Sequence, residues 1–208
     1  MIKFFTNREL AQKLGINLAK WKRWSREFLP PDPLGGMQSG YARHYSLDEA
    51  FRVFLGGYLV ATLKYTIPEA KKILQDMQKW MGTVGLYRNS GSDVKMRPAP
   101  EIKIKNYVVF IRQQSLDAGQ SIGFLYAIRG LISTSPIAPK DLNIRQERYI
   151  ERFLPPRQNY WAVSEVAGVK MLNISQVLGQ FVEALGLPKA LYAAMNDFQS
   201  RKDPSEKI

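Results

Sequence analysis

From Phe5 to Met81 the chain repeats one pattern: an aromatic residue, a hydroxyl cap, a carboxylate three residues on, then an apolar run at helical spacing. Thr6 to Glu9, Ser46 to Glu49 and Thr66 to Glu69 are each spaced as a capping box, in which hydroxyl and carboxylate satisfy orphan backbone N–H groups reciprocally. Phe5, Tyr45 and Tyr65 precede the caps, and Leu10, Ala50 and Ala70 follow at the fourth helical position, the spacing of a hydrophobic staple. Asn17 is placed to cap a further helix. The pattern predicts helices over 7–14, 18–28, 47–63 and 67–81. Gly56-Gly57 inside the third marks either a weak point or close packing.

Beyond Met81 the pattern changes. Residues 82–100 mix Gly82, Gly85, Gly91, Pro98 and Pro100 with serines and charges, which is linker composition. Ile102 to Ile111 and Gly123 to Ile132 then read as strands, and 160–163 as a third. Residues 142–154 fit a helical face through Leu142, Tyr149, Ile150 and Phe153, or an exposed strand through Arg148 to Arg152. Helices are expected at 174–185 and 188–199, where Val177, Leu178, Phe181, Val182 and Leu185 form one stripe. A small α+β domain results.

Residues 6–45 combine two short helices, joined at Gly15, into a helix-turn-helix. The second carries Lys20, Lys22, Arg23 and Arg26 interleaved with Trp21 and Trp24. Basic side chains on one short helix suit a phosphate-lined groove, while tryptophans anchor that helix to its own core. Leu10, Ala11, Leu14 and Ile16 complete that core. Between Pro30-Pro31 and Tyr45, three glycines and flanking prolines read as a hairpin wing, with a plain loop as the alternative.

In this order, with Leu29-Pro30-Pro31, Gly40-Tyr41, Arg43-His44-Tyr45 and two further capped helices, residues 6–81 resemble the winged-helix domain of the MerR family. Gly15-Ile16-Asn17 matches the family's turn before its recognition helix, and Arg26-Glu27 the pair ahead of its Leu-Pro-Pro. The resemblance implies that Lys20, Lys22, Arg23 and Arg26 contact the major groove and its phosphates, and Tyr41, Arg43 and His44 the backbone nearby. The chain departs from the family at Phe28, where the family has Gly, and at Ala42, an insertion. Gly82 and Gly85 interrupt the long helix through which the family dimerises.

Charge fits this picture without localising it. The net charge is +12, with 13 basic against 7 acidic residues in 1–81 and 17 against 11 in 82–208, +6 in each part. Such a balance favours polyanions, nucleic acid above all. With 45% hydrophobic and 12% aromatic residues the chain is globular, and its 208 residues suffice for one large domain or two small ones. Having no cysteine excludes disulfides, zinc fingers and thiol redox chemistry. His44 is the only histidine, so no Ser-His-Asp, Cys-His or multi-histidine metal constellation exists. Asp117, Asp141, Glu147, Glu151 and Glu165 lack metal-ligand spacing, and no Gly-rich phosphate loop occurs. Neither enzymatic activity nor a metal or cofactor is expected. No apolar leader or membrane-length span is found, so a cytoplasmic protein without a membrane partner is expected.

These readings give an N-terminal all-α winged helix-turn-helix at 1–81, a linker at 82–100, and a C-terminal α+β domain at 101–208 for oligomerisation or sensing. The expected function is a sequence-specific transcriptional regulator on double-stranded DNA, a homodimer joined through 101–208 by the stripe of Val177, Phe181 and Leu185. Whether a small-molecule or protein effector exists is left open. The aromatic residues Tyr107, Phe110, Phe124, Tyr126, Tyr149, Phe153, Tyr160 and Trp161 read as sheet core and dimer interface, with a planar-ligand pocket as the alternative. A second helix-turn-helix at 163–187 is disfavoured, because its second helix has no basic residue before Lys189. The alternative function is an architectural or accessory DNA-binding protein, and the third a protein-binding adaptor.

Overall fold

Each helix start marked by a capping box is a helix start in the structure, a computed structural model that describes residues 4–32, 43–86, 106–114, 123–136, 145–155 and 168–187. Helix α1 spans Asn7–Lys13, α2 Leu18–Phe28, α3 Leu47–Ala61 and α4 Ile67–Thr83. The cap carboxylates accept from the backbone N–H of Thr6 at 2.7 Å, Ser46 at 2.9 Å and Thr66 at 2.7 Å. Phe5, Leu10, Tyr45, Ala50, Tyr65 and Ala70 are all buried, so each staple closes. Helix α4 runs through Gly82, two residues beyond expectation. It stops where Gly85 takes a positive φ of 73° and Leu86 N–H bonds back to Met81 O at 3.0 Å.

The N-terminal part is not all-α. Strand β1, Phe5–Thr6, pairs antiparallel with β2, His44–Tyr45, so the fold class expected for residues 1–81 is corrected. The hydrophobic periodicity missed this pairing because two-residue strands are too short to show alternation. The expected wing falls on residues 33–42, which with Tyr41, 87–105, 160–163 and 188–199 lie outside the described residues.

The C-terminal part fits a small α+β arrangement. Strands β3 (Asn106–Gln114), β4 (Gly123–Pro136), β5 (Arg145–Leu154) and β6 (Lys170–Asn173) form an antiparallel sheet in the order β5-β4-β3-β6. The ambiguous stretch is therefore strand where described: β5 pairs with β4 along its length, with Arg129 beside Glu151 at 2.7 Å. Strand β6 runs directly into helix α5, Ile174–Ala184, whose N-cap is Asn173.

One contiguous hydrophobic core joins helices and sheet. Tyr107, Val109, Ile111, Phe124, Tyr126, Ile128 and Leu172 form its sheet side. Trp80 of α4 meets Tyr107 edge-on at 5.4 Å, Tyr65 meets Phe124 at 5.8 Å, and Tyr126 O–H donates to Asp76 at 2.8 Å. The apolar stripe on α5 is as expected, but Val177, Phe181 and Leu185 are buried within the chain, Phe181 against Phe51 and Phe54 of α3. The surface invoked for self-association is covered by the protein itself.

Gly56-Gly57 is a site of close packing. A Cβ at Gly56 would lie 2.6 Å from the Phe28 ring, and one at Gly57 would overlap the ring of Trp24. Replacing Gly57 by Ala should destabilise the fold by about 1–3 kcal/mol, since overlap with a buried ring outweighs the gain in helix propensity. Thermal unfolding checks this; an unchanged or raised melting temperature would show that the two helices separate without cost.

Buried phenols predict alkaline sensitivity. Burial, and secondarily the Glu69 charge, pushes Tyr65 up to about 12, while burial first and then Asp76 push Tyr126 up. Burial also raises Tyr107. A phenol whose native pKa lies above its unfolded value of about 10 contributes stability below that pH, which is lost as pH rises through the native value. Unfolding free energy from urea titrations should fall from about pH 10 towards pH 12; a flat profile there would contradict the burial of these rings.

Candidate nucleic-acid interface

The geometry of this site begins with the turn before α2. Gly15, at a positive φ of 63°, lets the chain reverse after α1, and Asn17 Oδ1 accepts from Ala19 N–H at 2.9 Å and Lys20 N–H at 3.3 Å. In the eleven residues that follow, Trp21, Trp24, Ser25 and Phe28 turn inward and are buried. That spacing of three and four residues is one helical face. The opposite side presents Lys20, Lys22, Arg23 and Arg26, all exposed. Lys20 Nζ also lies 4.9 Å from the Trp24 ring centroid, a cation–π contact that steadies its stem along the helix.

A buried polar relay fixes the rotation of this helix. Tyr45 O–H donates to Asn7 Oδ1 at 2.6 Å and lies 2.7 Å from Ser25 Oγ. With the single phenolic proton committed to Asn7, the Ser25 hydroxyl is the donor in the second bond. Trp21 meets the Tyr45 ring edge-on at 5.9 Å. Burial pushes the Tyr45 phenol up, consistent with a neutral hydroxyl in this relay. Ser25 and Asn7 were not singled out as functional residues from sequence. The signal was there for Ser25: a serine on the same helical stripe as Trp21, Trp24 and Phe28 needs a buried partner.

The C-terminal end of α2 is held by cations. Arg52 of α3 donates through Nε to Phe28 O at 2.9 Å and through Nη1 to Gln78 at 3.1 Å. Arg43 donates to Pro30 O at 2.9 Å and to Glu49 at 3.3 Å, with its guanidinium 5.6 Å from the Tyr45 ring centroid. Cations at a helix C-terminus are favoured by its dipole. Arg43 is thus a clamp, with a side chain only 16% exposed, whereas His44 is exposed on β2. Of the expected contact residues the structure brings Lys20, Lys22, Arg23 and Arg26 together on α2. Arg43 is placed at that helix's exit, and Tyr41 lies outside the described residues.

Glu27, the one acidic residue of α2, pairs with Lys71 of α4 at 2.6 Å. Its carboxyl is held below the usual range, first by that hydrogen bond and by the Lys71 charge, with Arg23 and Arg26 adding smaller contributions.

Among the described residues, the aromatic side chains of the sheet divide between the core and its surface. Tyr107, Phe124 and Tyr126 belong to the shared core, whereas Phe110 and Tyr149 flank the Arg129 guanidinium at 4.8 and 4.6 Å. Among the described residues, no group of three or more His, Asp or Glu side chains is placed to hold a metal ion, and no helix is long and apolar enough to cross a membrane. Neither a protein-family model nor any curated protein matches the chain.

The two faces of α2 predict opposite mutational outcomes. Replacing buried Trp21 by Ala should cost about 3–5 kcal/mol of stability. Replacing exposed Arg23 by Ala should leave unfolding within roughly 0.5 kcal/mol of the parent. Chemical denaturation of both variants reads this directly; the reverse ranking would place the basic face inside.

Proposed function

We propose that the protein binds duplex DNA by laying the exposed face of α2 in the major groove, and acts as a sequence-specific transcriptional regulator. One observation carries the reading: Lys20, Lys22, Arg23 and Arg26 share the solvent side of a helix whose other side is locked by Trp21, Trp24, Ser25 and Phe28. A groove-reading helix needs cations for phosphate and base edges, and a rigid seat that sets their direction. The resemblance of residues 6–81 to the MerR family's DNA-binding domain supports the same assignment of the second helix. In this reading Arg43, which donates to Pro30 O and Glu49, supports the exit of α2 beside the four cations of the helix. One α2 supplies one half-site of contact, so recognition of an operator takes two copies.

Binding to a labelled duplex should weaken steeply with salt. Four phosphate-facing cations predict a log–log slope of roughly 3 to 4 in magnitude, at about 0.9 per contact released. Arg23→Ala and Arg26→Ala should each reduce that slope by roughly 1 if the side chain meets phosphate, or relax sequence preference if it reads a base. Salt-independent affinity, or no duplex binding at low salt, would overturn the proposal.

A further inference from the structure

Glu27 stands in an awkward place for a helix that faces DNA. It follows Lys20 by seven residues and Arg23 by four, so the three lie along one stripe of α2. A carboxylate on that stripe repels phosphate. One turn beyond Arg23, it is also spaced to draw the guanidinium into an i,i+4 ion pair and away from a ligand. The carboxylate goes elsewhere: its Oε2 is 2.6 Å from Lys71 Nζ, with side chains 35% and 41% exposed. Lys71 comes from α4, a different helix, and the pair sits at the rim of the basic face rather than in the core.

We propose that Lys71 is a positioning residue of the DNA interface: by engaging Glu27 it neutralises the only acid on α2 and keeps Arg23 available to DNA. This rests on the reading of α2 as the DNA-binding helix and deepens it. The pair is too exposed to matter much for stability, and a role in the fold alone would leave its effect on an interface unexplained by melting. Lys71 acts through Glu27, so the sign of its effect depends on whether Glu27 is charged.

The test uses the full-length protein, a mixed-sequence labelled duplex at low salt, and four variants. Lys71→Gln should weaken binding by about three- to tenfold, the size of one unscreened like charge near a phosphate. Glu27→Gln should bind at least as tightly as the parent. The double variant Lys71→Gln/Glu27→Gln should return to within about twofold of the parent, with the parent's salt slope. Lys79→Gln, which removes an exposed charge elsewhere on α4, controls for net charge and should change little. Melting temperatures should be alike throughout.

Each contrary result has its own meaning. A double variant as weak as Lys71→Gln, with a slope reduced by about 1, would make Lys71 itself a phosphate contact and reject the proposal. Equal losses for Lys79→Gln and Lys71→Gln would reduce the effect to bulk charge. An unaffected Lys71→Gln would place Glu27 away from the DNA. A parent protein that binds no duplex removes the reading of α2, and the proposal with it; that failure is distinguishable because it precedes any variant.

Discussion

The arrangement depends on two aromatic rings seated on two glycines. Trp24 and Phe28 approach α3 so closely at Gly57 and Gly56 that no Cβ fits between them. A helix seated this deeply resists rolling, and its roll angle decides which side chains meet solvent. Successive residues are about 100° apart, so a roll of one residue would turn part of the basic face inward and a tryptophan outward. Helix α3 tolerates the glycines, each costing up to about 1 kcal/mol in propensity, because the packing they permit returns more.

Helix α4 lies between that arrangement and the sheet. One part of it reaches α2 through Lys71 and Glu27, and another holds β4 through Asp76 and Tyr126. Asp76 is also paired with Lys72 one turn earlier on α4, so its carboxylate is held from two sides, by Lys72 and by Tyr126. Lys170 of β6 lies over the Tyr65 ring at 4.0 Å, and Lys13 of α1 donates to Leu185 O at 3.3 Å beyond α5. The sheet and α5 are thus joined to the N-terminal helices by packed side chains at several points.

How much of this was legible in the sequence follows from the range of each interaction. Capping boxes are local, spanning Thr6 to Glu9, Ser46 to Glu49 and Thr66 to Glu69, and all three are formed. The α5 stripe was legible as an amphipathic face but not in its destination, since only the fold brings Phe181 to Phe51 and Phe54. Residues 145–154 hold both helical and strand spacings. The tie was broken by ladder bonds with β4, which no local pattern contains. At the candidate interface, the basic residues of α2 were legible because charge and period coincide there. Arg43 was legible as a cation beside the candidate wing, but its hold on Pro30 O and Glu49 was not, because both partners are brought to it by the fold. Lys71 gave no signal at all, because its partner is a tertiary neighbour.

Apolar packing alone selects a helix orientation only loosely, since interiors accept hydrophobic rearrangement at modest cost. The relay of Asn7, Tyr45 and Ser25 adds the discrimination that packing lacks. Each of the three groups is matched in one arrangement, with Tyr45 donating to Asn7 and Ser25 donating to Tyr45. A rolled α2 would carry Ser25 off the phenol and leave buried polar atoms unpaired, at about 1–3 kcal/mol for each. The relay also spans α1, β2 and α2, so the two-residue strand that makes the N-terminal part other than all-α has a definite use. By pairing with β1, it delivers Tyr45 to the point from which the direction of the basic face is set.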